Sequence, residues 1–107
     1  MIYVREAHPT DGWVMPNNAF QIKSPKSTEA REKIARDFVK KVNVAMPVLV
    51  DGIDDQVEHA YACWPNRMYI LDAQGRIADK GAAGPGGVSG PMKRAASIVD
   101  KLLTGSK

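Results

Sequence analysis

Cysteine is almost missing from this chain of 107 residues, which has only Cys63. One thiol forms no internal disulfide, and it excludes both a C-x-x-C redox pair and the cysteine-rich zinc sites. Histidine is nearly as scarce. His8 and His59 lie far apart and lack metal-ligand spacing, so neither a metal nor a resident cofactor is expected. Long apolar runs are absent, and no membrane-spanning helix or membrane partner is expected. The opening Met1-Ile2-Tyr3-Val4-Arg5-Glu6 turns charged at once and does not read as a secretory signal. Together with the lone thiol, that start implies a reducing, cytoplasmic setting. Charge of one sign is also in short supply. Fifteen Lys and Arg against 12 Asp and Glu leave +3. The basic residues are scattered without interleaved aromatics, so a nucleic-acid partner is not expected. Lys33, Arg36, Lys40 and Lys41 share a helix with Glu29, Arg31, Glu32 and Asp37, which reads as a solvated face.

What is present is ordinary. Apolar residues at 44% and charged residues at 25% place the chain among globular proteins. At this length one domain over residues 1–107 is expected, hiding roughly two-thirds of its unfolded surface. Ile2-Tyr3-Val4 is a short β-rich run that breaks at His8-Pro9. Residues 9–26 hold Pro9, Gly12, Pro16 and Pro25, and irregular stretches of that length tend to carry function. Ser27 is the natural N-cap of a helix over 28–42, where Ala30, Ile34, Phe38 and Val42 recur every four residues.

Met46-Pro47-Val48-Leu49-Val50 is apolar without alternation, as suits a strand covered on both faces. Asp54 or Asp55 is the expected cap of a short helix through Gln56 to Tyr61. Met68-Tyr69-Ile70-Leu71 and Ile77-Ala78-Asp79, joined across Gly75, read as a hairpin. Five glycines and Pro85 between Gly81 and Gly90 make a loop. Pro91 suits the first position of a last helix, in which Met92, Ala95, Ala96, Val99, Leu102 and Leu103 share a face. Gly105 is its expected end. The order β-α-β-α-β-β-α predicts an α/β fold, with a mainly parallel sheet and an antiparallel edge hairpin.

The block Tyr3-Val4-Arg5-Glu6-Ala7-His8-Pro9-Thr10-Asp11-Gly12-Trp13 closely resembles the segment after the nucleophile helix in iodothyronine deiodinases and their bacterial relatives. Pro47 to Asp51, Ala60-Tyr61, Trp64 to Ile70, Gly75-Arg76-Ile77 and Gly81 to Pro85 continue the resemblance in order, over about residues 1–104. It implies a thioredoxin-like fold with a cis proline at Pro65. It also implies that Glu6 and His8 are the inherited proton-transfer residues, and that Trp13, Tyr61, Pro65 and Arg67 line the substrate cleft.

The family's selenocysteine or cysteine stands upstream of the Glu-Ala-His block, between a strand and a helix. The chain is therefore expected to be a truncated domain without that first β-α unit, through gene-calling at a selenocysteine codon or as a genuinely short protein. Cys63 is a possible reactive thiol, displaced from the family position, with a small, buried, inert thiol ending a helix as its bland counterpart. Ala82-Ala83 stands where some members carry arginine, and residues 14–26 lack the family's second histidine. Both departures argue against thyroid-hormone-like substrates. The implied reaction is reductive dehalogenation or a related step with a thiol reductant, inactive in this chain alone. The alternative is a non-enzymatic interaction protein. A homo-oligomer, most simply a dimer, is expected because a lost central strand and helix would bare backbone edges and apolar surface.

Overall fold

A computed structural model describes residues 1–84 and 86–105. Pro85, expected within the glycine-rich loop, lies outside them. The elements are β1 (Ile2–Tyr3), α1 (Thr28–Val42), β2 (Leu49–Val50), α2 (Gln56–Tyr61), β3 (Tyr69–Leu71), β4 (Ile77–Lys80) and α3 (Ser89–Leu103). Among the described residues the fold is mixed α/β with three helices and small sheets, in the order that the sequence predicts. Two compact units divide the chain, Met1–Tyr61 and the residues from Ala62 onward.

In the first unit β1 runs parallel to β2, with Ile2 opposite Leu49 and Tyr3 opposite Val50. The ladder is extended by Asp51 N–H donating to the Tyr3 carbonyl at 2.8 Å. Ser27 caps α1 as expected, its hydroxyl accepting from Ala30 N–H at 3.1 Å, and α1 packs on β2. Asn43, left-handed at φ 59°, closes its other end.

The expected strand Met46–Val50 is realised only at its last two residues. Leu49 is 67% exposed and Met46 57%, so the run is not covered on both faces. A two-stranded ladder with a helix on one side leaves the other side open. Ile2–Val4 likewise shortens to Ile2–Tyr3.

The expected cap of α2 is also corrected. Asp51, not Asp54 or Asp55, accepts from Val57 N–H at 3.0 Å and Glu58 N–H at 2.9 Å, using both carboxylate oxygens. Asp51 is the most deeply enclosed large side chain among the described residues, at 2% exposure. A buried carboxylate is tolerated there because the helix N-terminus supplies donors and positive potential.

In the second unit β3 and β4 form the expected hairpin, antiparallel, with an irregularity between Ile70 and Leu71. Its turn is organised by Asp72, which accepts from Gln74 and Arg76 N–H at 2.9 Å each. These bonds hold the Asp72 carboxyl below its ordinary range. The strands thus form two two-stranded ladders, one parallel and one antiparallel, rather than one mainly parallel sheet.

Helix α3 packs on both strands of the hairpin. It starts at Ser89, so Pro91 is its third residue rather than its first. No intrahelical bond is lost, because the first four N–H groups of a helix have no partner within it. Pro91 is buried against Gly81, where a β-carbon would strike the proline ring. Gly105 (φ 72°) follows the helix end as expected. The apolar face of α3 is largely open, with Met92 59% and Leu103 80% exposed.

Candidate active site

Glu6 and His8 both stand beyond the end of a strand. β1 ends at Tyr3, and His8 is left-handed at φ 55°, so the two-residue alternation of a strand does not reach them. A proline at position 9 disfavours right-handed helical backbone at position 8, and histidine is one of the few side chains that tolerates this region. Both residues nevertheless line one small cavity of about 160 Å³, together with Tyr3, Asn18, Phe20 and Phe38. Phe38 comes from α1 and packs against the rings of Tyr3 and Phe20 at 5.9 and 5.6 Å.

Loop 9–26 shapes the rest of this site. Thr10 N–H donates to the Ile22 carbonyl at 2.8 Å, and Ser24 N–H donates to Asp11 Oδ1 at 2.9 Å. The Ser24 bonds hold the Asp11 carboxyl below its ordinary value. His8 Nδ1 lies 3.1 Å from the Trp13 carbonyl, and its ring meets the Trp13 ring edge-on at 4.3 Å. A carbonyl only accepts, so Nδ1 carries the hydrogen and Nε2 of the neutral ring keeps its lone pair. The histidine is therefore both a loop organiser and a positioned imidazole. The indole of Trp13 is itself 74% exposed.

Glu6 is held differently. Its side chain is only 6% exposed, and Oε1 stands 3.4 Å from Arg31 Nη2. Oε2 is buried without a hydrogen-bond partner among the described residues. Tyr3 lines the same cavity as Glu6. Burial, then the negative charge of Glu6 beside it, push the Tyr3 phenol well above its ordinary value, while Arg31 opposes the shift.

A titration follows from the raised phenol. Below about pH 10 the phenol is neutral in both folded and unfolded chains. Above it the unfolded chain loses a proton that the folded chain keeps, so stability falls as pH rises towards the folded value. One proton gives a slope of about 1.4 kcal/mol per pH unit. Urea midpoints from about pH 9 to 11 should fall more steeply for the parent than for Tyr3→Phe; equal slopes would refute the assignment.

The residues that sequence reasoning missed are charged. Arg31, taken for part of a solvated face, is 2% exposed. Its Nη1 donates to the Gly52 carbonyl at 2.7 Å and to Asp55 Oδ1 at 2.9 Å. Glu58 is buried as well and pairs with Arg5 at 3.0 Å. The available signal was position: Arg31 stands four residues before Ala35, the most buried apolar residue of α1. An arginine on an apolar stripe needs a buried acid, and Glu6 was already a candidate.

Tyr61 ends α2 at 40% exposure and is not among the residues lining the cavity. His59 is exposed. In the second unit the Trp64–Pro65 bond is cis, as the resemblance implied. Cys63 and Pro65 are half-buried. Arg67 is engaged structurally: Nε donates to the Gly81 carbonyl at 2.6 Å, Nη1 to Ala62 at 3.1 Å, and the guanidinium lies over the Tyr69 ring. Among the described residues no group of three or more His, Cys, Asp or Glu is arranged to hold a metal ion.

Comparison with known proteins adds a family. The family model for iodothyronine deiodinase matches residues 1–96. Thyroxine 5-deiodinase of Sparus aurata is 33% identical over 87 residues, covering 81% of this chain and 32% of that protein. Type I iodothyronine deiodinase of Xenopus laevis is 36% identical over 87 residues, covering 81% and 33%. The chain thus spans about a third of the length of the curated vertebrate relatives it matches. A match running through the Glu6–His8 block, α1 and the hairpin into α3 makes this chain a member of the iodothyronine deiodinase family.

Proposed function

We propose that these residues form the proton-handling part of a thioredoxin-like oxidoreductase that removes halogen reductively, and that the 107 residues alone do not turn over. The observation that carries the reading is the shared cavity, where an imidazole with one anchored nitrogen stands beside a buried carboxylate. In the reaction a selenolate or thiolate takes iodine from an aryl carbon, forming a selenium– or sulfur–iodine bond. The carbon keeps the electron pair of the broken bond and receives a proton. A thiol reductant then releases iodide and is itself oxidised to a disulfide. His8, protonated at both nitrogens, donates that proton from Nε2, and Glu6 accepts and returns protons through Oε2. Residues 1–107 hold one thiol, Cys63, displaced from the family's nucleophile position.

Iodide release from an iodinated phenol with excess dithiol should match the dithiol-only background. Turnover above it that disappears in Cys63→Ser would overturn the expected inactivity and make Cys63 the nucleophile. A small selenol added as external nucleophile tests the proton role. The chain should raise selenol-driven iodide release by about 10-fold or more, and Glu6→Gln or His8→Asn should remove the gain. No gain with the parent would refute the role.

A second reading, a non-enzymatic interaction protein, is favoured by a different observation. An open groove of about 620 Å³ between α1 and β2 exposes Met46 and Leu49, surface suited to a second copy of the chain.

A further inference from the structure

We propose that Arg31 is the positioning residue of the site: anchored through Nη1 on the turn of residues 52–55, it presents Nη2 to Glu6 Oε1 and leaves Oε2 as the working oxygen. The proposal deepens the reading of Glu6 as a proton carrier and rests on it.

The anchoring begins in α1. Its N-terminus is fixed by the Ser27 cap, and Arg31 N–H bonds the Ser27 carbonyl at 3.1 Å. Thr28 Oγ1, in the same helical turn, accepts from Ile53 N–H at 3.1 Å and ties residues 52–55 to α1. Within that turn Asp55 N–H bonds the Gly52 carbonyl at 2.9 Å, and Asp55 is left-handed at φ 60°. The acceptors for Nη1, the Gly52 carbonyl and Asp55 Oδ1, thus belong to a small structure fastened to the helix that carries the guanidinium.

Chemistry then divides the work. A guanidinium is a planar fork whose two ends donate in different directions at once, whereas an ammonium is one point charge. Arg31 spends one end on Gly52 and Asp55, and its other end reaches Glu6 at 3.4 Å. The charged groups facing it are Glu6 and Asp55; Tyr3 lines the same cavity as Glu6, and Arg5 pairs with Glu58. One cation between two carboxylates locates Glu6 without occupying both of its oxygens. Among the described residues Oε2 has no hydrogen-bond partner, as that arrangement requires.

Three variants of the full chain test the proposal: Arg31→Lys, Asp55→Asn and Glu6→Gln. Glutamate labelled with carbon-13 at the carboxyl gives each side chain its own resonance, with that of Glu6 assigned by Glu6→Gln. At neutral pH, Arg31→Lys and Asp55→Asn should each displace the Glu6 resonance while leaving that of exposed Glu29 in place. Arg31→Lys should also lower the selenol-supported rate by about 10-fold at unchanged KM, the pattern of a misplaced group rather than a lost binding contact.

A Glu6 resonance unmoved in both variants would overturn the proposal. So would Glu6 and Glu29 signals collapsing together with the helical circular dichroism, since Arg31 would then be structural only. The underlying reading fails separately. If Glu6→Gln retains the selenol-supported rate, Glu6 carries no proton, and the resonances of the other two variants still decide whether Arg31 positions it.

Discussion

Arg31→Met should cost the first unit about 3–5 kcal/mol, a large share of the 5–15 kcal/mol that holds a typical domain together. The loss comes less from the bonds removed than from what remains. Glu6 and Asp55, with side chains 6% and 17% exposed, would be enclosed without their shared cation. Taking the carboxylates from water is tolerable only while that cation stands between them. The Gly52 carbonyl would lose a donor as well. Urea unfolding followed by far-ultraviolet circular dichroism should show the midpoint dropping sharply. Arg31→Met with Glu6→Gln should recover part of the loss, because neutralising one acid halves the uncompensated charge. A cost below about 1 kcal/mol would mean that water reaches both acids, as at a surface ion pair.

Self-association is the second large effect. The chain should sediment at micromolar concentration as a dimer, twice its 11.7 kDa. In the groove between α1 and β2, Leu49 is 67% and Met46 57% exposed. Covering about 100 Å² of such surface is worth about 2.5 kcal/mol, so a few hundred offset the cost of association. A twofold arrangement hides a patch against its own copy and closes the assembly. Leu49→Lys, placing a charge in the patch, should return the mass to that of the monomer. A monomeric parent would sink the idea, and a dimer unaffected by Leu49→Lys would place the interface elsewhere.

The legible parts of this molecule were local. The four-residue recurrence from Ala30 to Val42 and the serine before it located α1 to the residue, because cap and period act within the helix itself. The hairpin was equally plain, since Asp72 and Gly75 shape the turn through bonds of two to four residues' span. Asp51 escaped because its bonds to Val57 and Glu58 skip the two aspartates standing nearer the helix. Arg31 escaped because its meaning depends on Glu6, twenty-five positions away, and on a turn at residues 52–55. Apolar composition named Leu49 as strand but said nothing of what would cover it. Glu6 and His8 were found by resemblance, since no strand alternation reaches them. The left-handed turn at His8 and the loop behind it bring them to one cavity.

That left-handed residue narrows the paths by which this site can drift. Position 8 must satisfy a backbone demand at φ 55° and also present an imidazole. Asparagine, aspartate and glycine meet the first demand and fail the second, while valine, isoleucine and threonine fail both. A lineage that abandons the proposed proton transfer can therefore pass to asparagine, one base change from histidine, with its loop intact. A change to a β-branched residue would disturb the chain from Pro9 towards Trp13 at the same stroke. Erosion of the chemistry and erosion of the architecture are separable at this position, and asparagine there would mark the first without the second.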